Sequence, residues 1–177
     1  GLPWFTFVAR ELPALCRRFF PILSDRREDT FAGGVSMGGY GALKCALRAP
    51  ETFSRAISLS GALDAADIAA NGGALAPQNF WEDVFGPAAD VPGSENDLFT
   101  AAEALRDSPL RPSVYMWCGT EDFLYNMSAR MRGHLRALGY DLTYEESPGD
   151  HQWLYWDKKI VDALDWLVPE EEGNPWR

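Results

Sequence analysis

Gly34, Val35, Ser36, Met37 and Gly38 form a G-x-S-x-G pentapeptide, the pattern in which a serine stands on a sharp strand-to-helix turn with its hydroxyl exposed. A hydroxyl is a weak nucleophile until a neighbouring base takes its proton, so the chemistry this pattern suggests is base-assisted attack on an acyl carbon. The turn requires residues without side chains two positions to either side, so that the neighbouring backbone can pass closely. The helix that begins after it presents unpartnered backbone N–H groups, that of Met37 included, where the charge of a tetrahedral intermediate would develop. Ser36 is therefore the candidate nucleophile and the Met37 N–H the candidate oxyanion-hole donor.

The chain contains two histidines. His134 lies about twelve residues into a helical pattern that follows Asp122, roughly 18 Å along it, among Met127, Met131 and Leu138. That setting predicts a packed or hydrogen-bonded structural histidine. His151 follows Pro148, Gly149 and Asp150 in a loop that opens the last helix, where an imidazole can reach a strand-end site. It is the predicted general base. A carboxylate must then hold the imidazole tautomer and stabilise the imidazolium. Asp122, in Gly119-Thr120-Glu121-Asp122 just past the run Val114 to Cys118, falls in the chain order Ser, Asp, His of α/β-hydrolases. The same aspartate also suits a helix N-cap, and Glu121, Asp150 and Asp64 are the alternatives.

The elements that must position these groups can be read from periodicity. Thr30 to Val35 reads as a strand entering the turn, and Gly38, Gly41, Ala42, Cys45 and Ala49 recur at helical spacing up to Pro50, a small-residue stripe suited to lying close on a sheet. Ala56 to Leu59 is the next parallel strand. From about 62 to 112 the chain is rich in Ala, Gly, Pro, Asn and Asp, with helical patches at 80–85 and 98–105 and no sustained strand. This predicts a cap-like excursion, in which Phe80, Trp81 and Phe85 are candidates for a substrate pocket or ordinary core aromatics. Val114 to Cys118 and Leu142 to Glu146 are two further strands. Between them runs a helix through Phe123, Met127, Met131, Leu135 and Leu138, stopped by Gly139. A final helix carries Trp153, Trp156, Ile160, Leu164 and Leu167 on one predicted face, and residues 4 to 20 form another with Phe5, Val8, Leu12, Leu15 and Phe19, which Pro13 should kink or divide. Alternating strands and helices argue a parallel α/β sheet in one domain spanning 1–177.

Composition narrows the function. The chain has 177 residues, 46% of them hydrophobic, and a formal charge of −10. No basic patch interleaves with aromatics, so a nucleic-acid or anionic-membrane partner is not expected. No apolar run reaches membrane-spanning length. Cys16, Cys45 and Cys118 cannot all pair and show no C-x-x-C spacing, which predicts reduced packing thiols, a soluble cytoplasmic protein, no metal site and no cofactor.

Four ordered motifs carry a family resemblance. Ala32-Gly33-Gly34-Val35-Ser36-Met37-Gly38-Gly39-Tyr40-Gly41-Ala42-Leu43, then Ser58-Leu59-Ser60-Gly61-Ala62-Leu63-Asp64, Cys118-Gly119-Thr120-Glu121-Asp122-Phe123-Leu124, and His151-Gln152-Trp153 with Tyr155-Trp156-Asp157 resemble the esterase D family of α/β-hydrolases. Tributyrin esterase is the nearest type, and S-formylglutathione hydrolases and mycolyltransferases are more distant. The resemblance implies Ser36, Asp122 and His151 as a catalytic triad that hydrolyses short-chain acyl esters. The family has several strands before the nucleophile strand, and the loop after the third supplies an oxyanion N–H. Only 35 residues precede Ser36 here, so the expected fold is a partial α/β-hydrolase that lacks those strands. Its sheet edge is expected to be covered by a homo-oligomeric partner or an N-terminal segment. The alternative function is a non-catalytic, partner-dependent interaction module.

Overall fold

β-Prone runs and helical runs alternate from Phe31 onward, and each strand becomes part of one sheet. The structure is a computed structural model that describes residues 4–72 and 79–168. Among the described residues the sheet has four strands, β1 (Phe31–Val35), β2 (Arg55–Leu59), β3 (Ser113–Gly119) and β4 (Leu142–Ser147), in the spatial order β1-β2-β3-β4. Every neighbouring pair is parallel, with Val35 opposite Leu59, Leu59 opposite Trp117 and Gly119 opposite Ser147. Parallel neighbours need crossovers, so helices must cover the faces. The central β3 is buried from Val114 to Gly119, which is why it reads as an unbroken apolar run rather than an alternation.

Eight α-helical segments lie among the described residues: α1 (Trp4–Thr6), α2 (Leu12–Phe19), α3 (Met37–Arg48), α4 (Ala65–Asn71), α5 (Phe80–Phe85), α6 (Leu98–Ala104), α7 (Tyr125–Ala137) and α8 (Trp153–Leu167). One face of the sheet, through Ala56, Val114 and Met116, packs on Leu43 and Ala46 of α3, Ala101 of α6, and Met131 and Leu135 of α7. The other, through Ile57, Leu59, Tyr115 and Trp117, packs on Trp156 and Ala163 of α8. The helices therefore sandwich the strands, the arrangement of an α/β-hydrolase core.

Several predicted faces turn out differently. Trp153, Ile160 and Leu164 of α8 are exposed, and the buried positions are Trp156 and Ala163. The small Ala163 lets the helix approach the sheet beside the large Trp156, so size complementarity selects the face rather than apolar count. In α3 the close approach is made by Gly39. A Cβ there would lie 2.7 Å from Ser58 Oγ, whereas one on Gly38 or Gly41 would meet nothing within 4 Å. The small-residue stripe thus does not face the sheet along its whole length. Phe123 precedes α7 and is exposed.

Residues 4–19 run as continuous helical backbone that widens just before Pro13. Between α1 and α2, Phe7–Glu11 form a wider turn in which the Leu12 N–H reaches back to the Phe7 carbonyl, and Pro13, which has no N–H to donate, follows directly after it. Ala9 is buried and Phe5 packs on the core, but Val8, Leu12, Leu15 and Phe19 of the predicted apolar face are exposed. Phe5, Val8 and Leu12 line an open groove of about 860 Å³ against Phe31 to Gly33 of β1 and Gly38, Gly41 and Cys45 of α3.

The stretch from 62 to 112 holds α4, α5, α6 and no strand among its described residues. Asn96 ties it to α3. Its side-chain oxygen accepts from Lys44 Nζ at 2.6 Å, its carbonyl from Tyr40 Oη at 2.9 Å, and its amide nitrogen donates to the Phe85 carbonyl at 3.2 Å.

Candidate active site

Ser36 occupies the single residue between β1 and α3, at φ 55° and ψ −122°. A side chain rarely tolerates this backbone, and such strain persists only where its surroundings enforce it. Here they do so by hydrogen bonding on both sides. The Ser36 N–H donates to the Leu59 carbonyl at 2.9 Å, and the Ser36 carbonyl accepts from the N–H groups of Tyr40 and Ala62, each at 3.2 Å. Gly34 makes the crossing possible, because a Cβ at that position would stand 2.4 Å from both the carbonyl carbon and the oxygen of Gly38. Met37 begins the helix, so its N–H has no partner within the helix.

His151 stands in the loop between β4 and α8, and Asp122 in the turn between β3 and α7, both at the carboxyl ends of parallel strands, as is Ser36. Ligands of open α/β sheets bind there because successive strand-end loops converge. His151 Nε2 is 2.9 Å from Ser36 Oγ, and its Nδ1 is 2.9 Å and 3.1 Å from the two carboxylate oxygens of Asp122. An ionised carboxylate only accepts, so Nδ1 carries the proton and Nε2 is free to accept from the serine hydroxyl. The Asp122 side chain is fully buried and that of His151 is 19% exposed.

Burial by itself would push the Asp122 carboxyl up, but hydrogen bonds from His151, the Leu124 N–H and Ser60 outweigh it and hold the group below the ordinary aspartate range. The two readings of Asp122 coexist. One oxygen accepts from the Leu124 N–H at 2.9 Å while both face His151. The cap of α7 proper, Leu124, uses no side chain.

Each alternative carboxylate is engaged elsewhere. Asp64 caps α4 through the Asp67 N–H at 2.9 Å and pairs with Arg130 at 2.8 Å. Asp150 accepts from the Gln152 side chain at 2.7 Å. Glu121 accepts from the Gly149 N–H, and its own N–H donates to the Gly149 carbonyl at 3.0 Å. It thereby latches the loop that carries His151 onto the end of β3, a role the spacing did not reveal. Gly119 completes that junction, since a Cβ there would sit 2.1 Å from the Gly149 carbonyl oxygen.

His134 is distant from this cluster in its contacts. Its Nε2 is 3.1 Å from the Phe99 carbonyl, and its ring meets the Phe99 ring at 5.0 Å. Phe85 and Trp81 stack at 5.9 Å, and Phe85 meets Tyr40 edge-on at 5.5 Å, the packing of core aromatics. Two rings instead flank the imidazole of His151. Trp156 meets it edge-to-face at 4.8 Å and Phe123 lies over it at 4.6 Å. Sequence periodicity had placed both on helical faces; the detectable signal was that a buried indole N–H requires an acceptor. Among the described residues no cluster of three or more His, Cys, Asp or Glu is arranged to hold a metal ion, and no helix is long and apolar enough to cross a membrane.

This arrangement can do base-assisted acyl transfer, and comparison with known proteins agrees. Residues 3–167 match the Esterase family model. An acetyl esterase of Caldicellulosiruptor saccharolyticus is 37% identical over 166 residues, which is 91% of this chain and 62% of the relative. A substrate-bound fluorophosphonate-binding serine hydrolase F of Staphylococcus aureus superposes with a TM-score of 0.78 at 31% identity, covering 90% of this chain and 62% of that one. The S-formylglutathione hydrolase of the same organism gives 0.77 at 32% identity, with 89% and 61% covered. The chain thus spans just over three fifths of the length of each.

Proposed function

The chain belongs to the Esterase family of α/β-hydrolases, and from that premise we propose that it is a serine carboxylesterase that hydrolyses short-chain acyl esters through an acyl-enzyme on Ser36. The observation that carries this reading is the continuous line from Ser36 Oγ through His151 to the Asp122 carboxylate, with both links at 2.9 Å. His151 Nε2 takes the hydroxyl proton as Ser36 attacks the acyl carbon, and the buried carboxylate stabilises the imidazolium that forms. The Met37 N–H faces the developing oxyanion. The imidazolium then protonates the departing alcohol. Water, deprotonated by the same nitrogen, releases the acid and restores Ser36. The names of two relatives, an acetyl esterase and an S-formylglutathione hydrolase, support small acyl groups.

A second oxyanion donor belongs to this reading, because loss of one such donor costs about 3 kcal/mol of transition-state stabilisation. Among the described residues β1 stands at one end of the strand order with an apolar groove beside it, and polypeptide covering that side would supply it. That same groove favours a second reading, in which the chain is a partner-dependent interaction module.

Treatment with a fluorophosphonate probe and with p-nitrophenyl acetate, comparing wild type and Ser36→Ala, separates the two. The esterase reading expects covalent labelling at Ser36 and p-nitrophenol release, both lost in the variant. Turnover that survives Ser36→Ala, or a wild-type Ser36 inert to the probe, overturns it.

A further inference from the structure

Ser60 is the residue immediately after β2, and it is one of three non-glycine residues with positive φ among those described, at 47°, together with Ser36 and Asn79. It is completely buried. A side chain held in left-handed backbone inside a core costs roughly 1–3 kcal/mol, a strain found mainly where function requires it. Its N–H donates to the Trp117 carbonyl at 2.7 Å, which pins the turn to β3 one strand away from Ser36. Its hydroxyl accepts from Trp156 Nε1 at 3.0 Å, a buried bond between residues 96 apart in sequence.

The direction of that bond matters. An indole N–H can only donate, so it fills a lone pair of Ser60 Oγ and leaves the hydroxyl proton to point elsewhere. The hydroxyl supports the charged forms of both Asp122 and Cys118. The indole of Trp156 also meets the His151 ring edge-to-face at 4.8 Å. Trp156 therefore backs the His151 ring from the buried side, and Ser60 holds the indole in place.

We propose that Ser60 and Trp156 are positioning residues: Ser60 anchors the Trp156 indole, and the indole holds the His151 ring in line for proton transfer with Ser36. The proposal rests on the esterase reading above and adds two residues to it. Neither touches the substrate; they act through His151. A linked pair of this kind makes a definite prediction, because deleting either member breaks the same Trp156–Ser60 hydrogen bond.

The test measures kcat and KM for p-nitrophenyl acetate, the rate of fluorophosphonate labelling at Ser36, and the thermal midpoint. The variants are Trp156→Phe, Ser60→Ala, Ser60→Gly and the double variant Ser60→Ala with Trp156→Phe. Trp156→Phe keeps a ring against His151 and removes only the N–H donor. Ser60→Gly removes the hydroxyl and relieves the positive φ, which separates hydroxyl chemistry from backbone strain. The expected result is a fall of about tenfold in kcat and labelling rate for each single variant, the upper size of one neutral hydrogen bond. KM should stay within about twofold, since the pair does not contact substrate. The double variant should fall no further than about twofold below the worse single, where independent effects would multiply to about a hundredfold.

Wild-type kcat in Ser60→Gly would overturn the proposal by showing that only the backbone conformation matters. So would wild-type kcat in Trp156→Phe, or multiplicative losses in the double variant. Labelling of the wild type at Ser36 with unimpaired variants sinks the positioning role alone, whereas a wild type that the probe does not label sinks the esterase reading and the positioning role together.

Discussion

Gly34→Ala and Gly38→Ala change equivalent letters of one motif, yet the structure assigns them opposite consequences. A Cβ on Gly34 would lie 2.4 Å from the carbonyl carbon and oxygen of Gly38 and 2.9 Å from its Cα. These atoms are backbone at the start of α3, so no side chain can swing away. Ordinary contact begins near 3.4 Å, and α3 must therefore retreat from β1 by about 1 Å, comparable with the displacement that costs roughly a hundredfold in rate when reacting groups are misaligned. Ser36 lies between the two elements, and its 2.9 Å bond to His151 is broken by a shift of that size. Overpacking of this kind costs about 1–3 kcal/mol, or roughly 3–10 °C in thermal midpoint for a domain of this length. A Cβ on Gly38 meets nothing within 4 Å, and alanine there gains up to about 1 kcal/mol of helix propensity. The assay is the second-order rate of fluorophosphonate labelling alongside a thermal melt. Gly34→Ala should label about a hundredfold more slowly and melt earlier, while Gly38→Ala should label within about threefold of wild type and melt no earlier. Equal damage in the two variants, or normal labelling of Gly34→Ala, would refute the steric reasoning.

Three further outcomes are expected. His134→Gln should leave the labelling rate within about twofold, because His134 contacts Phe99 and not the Ser36 line; a loss of tenfold or more would make it part of the proton path. In a thiol titration at pH 8, Cys45 and Cys118 should react far more slowly than Cys16, because both are buried and burial pushes the Cys118 thiol up to about 11 and the Cys45 thiol above its usual value; equal rates by mass-spectrometric mapping would contradict this. Asp97, where burial alone would push the carboxyl up, is held below the ordinary range by the N–H groups of Gly93, Phe99 and Thr100 and the Thr100 hydroxyl. The group is depressed in the fold, so its stabilisation is complete above the unfolded value of about 3.9 and is lost as pH falls through the folded value. Asp97→Asn should flatten the acid limb of the midpoint-against-pH curve below about pH 4, and an unchanged limb would refute the assignment.

The four parallel strands were legible because each is a short apolar or β-prone run between breakers, and Val114 to Cys118 is apolar throughout because β3 is buried on both faces. Helix faces were less legible. The final helix offers apolar residues on more than one side, and Trp156 with Ala163 is chosen over Trp153, Ile160 and Leu164 by the shape of the sheet face that α8 meets. The apolar stripe of residues 4 to 20 borders an open groove, so periodicity identified the helix but not how deeply its stripe is buried.

The sequence by itself determined the chemistry on offer: a serine in a tight glycine turn, a histidine in a strand-end loop, and aspartates between them in a fixed order, all set by residue type and local spacing. Only the tertiary structure decided which carboxylate faces His151, that Glu121 latches the histidine's loop, and that Ser60 holds the Trp156 indole against His151. Those choices join residues up to 96 positions apart. They depend on which strand ends converge and which side chains fit between them, and neither distance nor packing is encoded in any local pattern of the chain.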